Sequence, residues 1–252
     1  MQNPVIVITG QPIWMQHIQD TFSDDYMFMH QATSSGYMNM LIDNRAALVL
    51  ADGDCDDWQQ WILIPGVSPA TRRIPVILVS ADTAHHSVAI GHGAVDTLTP
   101  DNLPAALPRL IKDYARVLDR DTLEALDCDC QEALPELAQE GVRKFNAGEY
   151  YKQHDLFEEQ WVNTERPVRD LYRAILQVGV AYYQIERGNY RGALKMLQRS
   201  VQWLLMLPDV CQGVDVKQLR EDSFRVRAEL ERLGEERFDE FDPALIKGVT
   251  LV

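Results

Sequence analysis

The residues best placed to do chemistry lie in one run, from Gly148 to Trp161. Tyr150, His154, Phe157 and Trp161 recur at three- and four-residue steps, the spacing of one helix face. Glu158 follows His154 by one turn and precedes Trp161 by three residues. An imidazole and a carboxylate turned toward a core must be paired or neutral, because unpartnered burial is costly. A second set stands on the next helical stretch, where Arg173 and Gln177 share a face beside Tyr172. If the two faces meet, a carboxylate, an imidazole, an amide and a guanidinium converge among aromatic rings.

Three kinds of chemistry fit that convergence. The one favoured here is structural: Glu158 accepts from Arg173 or His154, and the network fixes helix register. The second is a pocket for a small ligand or peptide, lined by Tyr150, Trp161, Tyr172 and Tyr183. The third is acid–base or metal chemistry by His154 and Glu158, which stand at i and i+4. The helical half has no second histidine, no paired Glu-x-x-His and no glycine-rich phosphate loop. No residue is therefore assigned as catalytic, and no metal or cofactor is expected.

These residues need helices to hold them. From Glu132 onward the pattern is helical without a strand. Five stretches, 132–147, 149–162, 169–187, 190–207 and 216–233, are joined by short connections, which predicts an antiparallel helical bundle. The stretch 169–187 is apolar almost all round and belongs in the middle. Three runs carry a family resemblance: Phe145 to Trp161, Tyr172 to Gln177, and Gly188 to Leu194. They resemble the helical domain-of-unknown-function family numbered 309, over about residues 135–235. Asp155 stands where that family usually has Glu. The resemblance implies an all-helical bundle and no established activity.

The first half alternates. Strand signals at 4–10, 26–32, 47–52, 75–80 and 93–99 are separated by helical stretches at 12–22, 34–44, 85–92 and 103–118. That order predicts a doubly wound parallel sheet of five strands. Ligand chemistry in such sheets lies at the carboxyl ends of the strands. Leu48-Val49-Leu50-Ala51-Asp52, Pro75 to Ala81 and Gly93 to Pro100 together resemble a receiver domain of two-component signalling, a flavodoxin-like fold, over about residues 4–120. The resemblance makes Asp52 the phosphoacceptor position and Ser80 the switch position. Thr9-Gly10 stands where a receiver has the acids that hold Mg²⁺, and Thr99-Pro100 where it has its lysine. Phosphoryl transfer needs positioning and charge neutralisation, so Asp52 and Ser80 are read as vestigial positions of a pseudo-receiver. Asp54, Asp56 and Asp57 are read as a solvated loop.

The net charge is −14, with 16 acids against 7 bases up to Asp127 and 22 against 17 after it. Neither half offers a field that gathers phosphates, so nucleic acid is not expected as a partner. Arg187, Arg191, Lys195 and Arg199 are read as a solvated helix face. No run approaches a membrane span. Without a signal peptide and with four scattered cysteines, the chain reads as cytoplasmic with reduced thiols, Cys128-Asp129-Cys130 included. The domains expected are 1–125, receiver-like, and 126–252, helical. The function expected is regulation or scaffolding without catalysis. The receiver-like half would make a homodimer through residues 103–118, and the helical half would take a protein partner or small ligand. The alternative is an enzyme or metal-binding protein using His154 and Glu158.

Overall fold

The computed structural model describes residues 3–252. The chain divides into two compact units, Met1–Val117 and Leu118–Val252. The sequence reading set this division near residue 125. The helix that spans that point starts at an N-cap, Asp119, whose carboxylate accepts from the Thr122 N–H at 2.8 Å. Its buried Leu126 and Cys130 belong to the core of the second unit.

In the first unit, β1 (Val5–Thr9), β2 (Met27–Gln31), β3 (Leu48–Asp52), β4 (Val76–Val79) and β5 (Asp96–Leu98) form a parallel sheet in the order β2-β1-β3-β4-β5. That is the doubly wound, flavodoxin-like order. Alternating residues of each strand serve opposite faces. Val7, Val49, Ala51 and Leu78 pack against α2 (Tyr37–Asp43), α3 (Trp58–Gly66) and α4 (Ala84–His92). Ile6, Ile8, Leu48, Leu50, Ile77 and Val79 pack against α1 (Met15–Phe22) and α5 (Leu103–Tyr114). Two helices differ from expectation. The run containing α3 carries apolar residues on most positions and a proline near its end, so it shows no helical period. The last helix stops at Tyr114 rather than 118. Ala115 turns extended, and the Arg116 N–H bonds to Ala47 O at 3.0 Å.

The second unit contains α6 (Arg120–Cys130), α7 (Glu136–Asn146), α8 (Tyr150–Val162), α9 (Arg169–Glu186), α10 (Tyr190–Leu204) and α11 (Val216–Leu233). From α8 on, each helix packs on its predecessor; short turns join α7 through α10, and a longer link leads into α11. Asn189 and Asp215 cap α10 and α11. This half does contain strands. β6 (Val210–Cys211) and β7 (Val214–Asp215) form a small antiparallel hairpin, to which Val214 adds a bridge with Leu251. The expectation of four free thiols is also corrected, since Cys130 and Cys211 are disulfide-bonded and only Cys55 and Cys128 are free. No helix among the described residues is long and apolar enough to cross a membrane.

Candidate functional site

At the carboxyl end of the sheet, β3 delivers Asp52 into a closed position. The residue is 5% exposed. One carboxylate oxygen accepts from the Gln11 N–H at 3.2 Å, and the other from the Asp54 N–H at 3.0 Å. Above it lies Gly10, at φ +73°, where an added Cβ would stand 2.4 Å from Asp52 Oδ2. The Thr9 hydroxyl accepts from the Asp52 N–H at 3.2 Å. Burial pushes the Asp52 carboxyl above the ordinary aspartate range. The two N–H groups oppose that shift, and the Asp54 charge adds to it.

Asp54 is not a free member of a solvated loop. Its carboxylate accepts from the Ser80 hydroxyl at 2.6 Å and from the Ala81 N–H at 2.9 Å. Ser80 is fully buried. His85 Nδ1 lies 2.9 Å from Gly53 O, and the His85 ring stacks on Trp58 with centroids 4.8 Å apart. The loop after β3 is thus fastened to the loop after β4 by a carboxylate, an imidazole and an indole. Sequence reasoning named Asp52 and Ser80, but the pair that meets is Asp54 and Ser80.

In the second unit the candidate residues do not converge as expected. Glu158 is exposed, and no hydrogen bond or ion pair of it is found among the described residues. His154 is partly exposed, and its ring faces its neighbour Asp155 at 3.2 Å. Tyr150 is buried edge-on against Phe145 and Tyr182. Tyr172 is buried elsewhere, donating to Gln212 Oε1 at 2.8 Å. Gln177 is buried on α9. The pair that does meet is Trp161 and Arg173, with the guanidinium carbon 5.0 Å from the ring centroid. Arg173 also lies 4.0 Å over Trp203 of α10, and Arg169 lies 5.2 Å over Trp161. Cation–π contacts of this kind contribute about 0.5–2 kcal/mol each. Trp203 was not foreseen, because it stands one residue off the apolar stripe of α10.

The polar side chain that α8 carries inward is Gln153. It is fully buried, and neither its amide nitrogen nor its amide oxygen has a hydrogen-bond partner. Its oxygen occupies the space beside Gly179 of α9, 1.8 Å from where a Cβ would stand. Gln153→Met, of similar volume, is expected to stabilise the helical unit by about 1–3 kcal/mol, because it removes a buried unpaired amide. Urea denaturation measures this, and a loss of stability would show that the amide is bonded in solution.

An open cleft of about 480 Å³ lies elsewhere in this unit, lined by Asn146, Gln218, Asp222, Arg225, Lys247 and Thr250 among others. None of the residues foreseen as a pocket lines it. Asn146 clamps the chain end there, donating to Val249 O at 2.9 Å and accepting from the Val249 N–H at 2.7 Å. Asp222 is buried and accepts from Gln218 and Arg225. No group of three or more His, Cys, Asp or Glu side chains is placed to hold a metal ion among the described residues.

Residues 138–196, from α7 into α10, match the model of a family described as Domain of unknown function (DUF309). An uncharacterized protein of Aquifex aeolicus (strain VF5) is 22% identical over 86 residues, which are 34% of this chain and 26% of that protein. The matched part is thus about a quarter of the relative's length. Among solved structures, the receiver domain of a sensor histidine kinase from Pseudomonas aeruginosa PAO1 is 15% identical, with a TM-score of 0.40. The match covers 45% of this chain and 98% of that one. The receiver domain of a signal transduction histidine kinase from Syntrophus aciditrophicus is 20% identical, with a TM-score of 0.38, over 46% of this chain and 96% of that one.

Proposed function

We propose that the protein is a non-enzymatic regulatory or scaffolding protein whose first unit is a phosphorylation-incompetent receiver-like domain. The observation that carries this reading is the closed position of Asp52. Its oxygens are taken by two backbone N–H groups, and Gly10 lies against it. An attacking carboxylate must reach a phosphoryl donor and be neutralised by a metal or lysine in the transition state. Thr9, Gly10 and Thr99 supply neither group.

In this reading the first unit provides an interface to a second copy. Val88 of α4, Val95 just before β5 and Tyr114 at the end of α5 expose apolar surface, and Arg109 of α5 forms ion pairs with Asp96 and Asp113. The helical unit takes a protein partner or small ligand, and the Trp161–Arg173–Trp203 stack is the aromatic surface that favours it. A cytoplasmic location fits a regulatory role. One experiment tests the unit. Incubation with acetyl phosphate and Mg²⁺, read by intact mass spectrometry and light scattering, is expected to give no phosphoryl adduct and a dimer mass throughout. An adduct lost in Asp52→Asn would overturn the incompetence. A monomer at micromolar concentration would overturn the interface.

A further inference from the structure

The sheet of the first unit ends in two unlike strands, β5 and β2. β5 is three residues long and begins on an acid, Asp96, which pairs with Arg109. β2 is five residues long, Met27-Phe28-Met29-His30-Gln31, and carries no carboxylate, lysine, arginine or proline. It pairs with β1 in five consecutive steps, without a bulge. Proteins blunt their sheet edges with short strands, charges, prolines or bulges, and β2 has none of these. Met27 is 48% exposed, His30 is exposed, and Phe28 and Met29 are half-buried.

The backbone of β2 has an inner and an outer side. The Met27 N–H bonds to Pro4 O at 3.0 Å, and Gln31 O accepts from the Gly10 N–H at 3.0 Å. Backbone groups alternate in direction along a strand. Met27, Met29 and Gln31 therefore face β1, while Phe28 and His30 turn their N–H and C=O groups away from the sheet. Nothing pairs with β2 on that side among the described residues. An antiparallel strand that exchanges both bonds with Phe28 and with His30 satisfies all of those groups. β2 is itself such a strand. In a two-fold pairing centred on Met29, Phe28 of each copy lies opposite His30 of the other, Met29 opposite Met29, and Met27 opposite Gln31. No like charges meet across it. Asp24 and Asp25 of one copy run out toward the uncharged Ser34 and Thr33 of the other. For a chain of net charge −14, such an edge lets two copies approach without repulsion. Centring on Phe28 needs Tyr26, whose N–H is already bonded to Phe22 O, and centring on His30 needs Ala32, beyond the strand.

We propose that β2 is a self-pairing edge, through which the sheets of two copies run on as one. It lies at the opposite edge of the sheet from β5, so it is separate from the interface proposed above for α4 and α5 and does not depend on it. A pairing of five residues a side is far smaller than the ~1,600 Å² of a standard interface. It forms at submillimolar rather than micromolar concentration.

The test uses the full chain. Light scattering from micromolar to submillimolar concentration is expected to show the mass rise at least about twofold. The rise starts from a dimer if the α4 and α5 interface forms and from a monomer if it does not, so the two readings fail separately. The Phe28 and His30 amides are expected to exchange hydrogen more slowly over the same range, while the Met29 amide does not change. Met29→Lys sets two lysines opposite each other and Met29→Glu two carboxylates, so each variant alone should keep its starting mass. Mixed in equal amounts the two should associate again, a result that loss of folding could not produce. His30→Pro removes an outward donor and leaves the β1 ladder whole, and it too should keep its starting mass. A wild-type mass that does not rise overturns the proposal. So does a rise that Met29→Lys leaves intact, or a mixture of the lysine and glutamate variants that does not associate.

Discussion

Gly10→Ala is expected to destabilise the first unit by about 2–5 kcal/mol. Two costs add. A left-handed residue with a Cβ costs about 1–2 kcal/mol, and Gly10 stands at φ +73°. The new Cβ would also lie 2.4 Å from Asp52 Oδ2 and 2.5 Å from Asp52 Cβ, and overpacking of this kind costs about 1–3 kcal/mol. Asp52 cannot retreat, because β3 fixes its backbone and its oxygens are held by Gln11 and Asp54. Adding Asp52→Gly separates the two costs. The double variant should recover the overpacking part and keep the conformational part. Guanidinium denaturation followed by tryptophan fluorescence measures both. A fully additive pair would show that Gly10 does not press on Asp52. The same contact bears on function. An acid placed at position 10 to rebuild a cation site would enter space that the Asp52 carboxylate already fills, so single substitutions are not expected to restore phosphoryl chemistry.

The sheet was legible because its strands are short β-branched runs, such as Val5-Ile6-Val7-Ile8, and burial on both faces demands such runs. The bundle was legible because its helices carry clear stripes and short turns. The site was legible only in part, for a geometric reason. From Tyr150 a helical stripe continues at either i+3 or i+4. His154 was chosen at i+4 because it can do chemistry, yet Gln153 at i+3 is the buried one, with Phe157 next on that face. One residue rotates a side chain by about 100°, enough to turn Glu158 out to solvent. The partner of Arg173 on α10, Trp203, and the partner of Cys130 on β6, Cys211, were not legible. Both depend on which distant segments meet, and local periodicity does not encode that. Asp54 was passed over because an acid in a polar loop has the same sequence signature whether solvated or bonded.

The close approach of α7 and α8 supplies the sharpest test of the helical unit, because one substitution should change sign with its background. Phe157 is fully buried, and Phe157→Ala is expected to cost about 3–5 kcal/mol through lost burial and the cavity left behind. Gly141 of α7 lies directly against that ring. A Cβ there would meet three ring carbons at 2.7–3.1 Å. In wild type, Gly141→Ala gains about 1 kcal/mol of helix propensity and loses about 1–3 kcal/mol to the clash, a net loss. The ring cannot yield cheaply, since it is enclosed in the core that also holds Phe145, Val142 and Ile175. With Phe157→Ala already present the clash is gone and the propensity remains, so Gly141→Ala should then stabilise by up to about 1 kcal/mol. Thermal denaturation of the four proteins gives the coupling directly. Gly141→Ala destabilising equally in both backgrounds would mean that the glycine serves something other than the seat of Phe157.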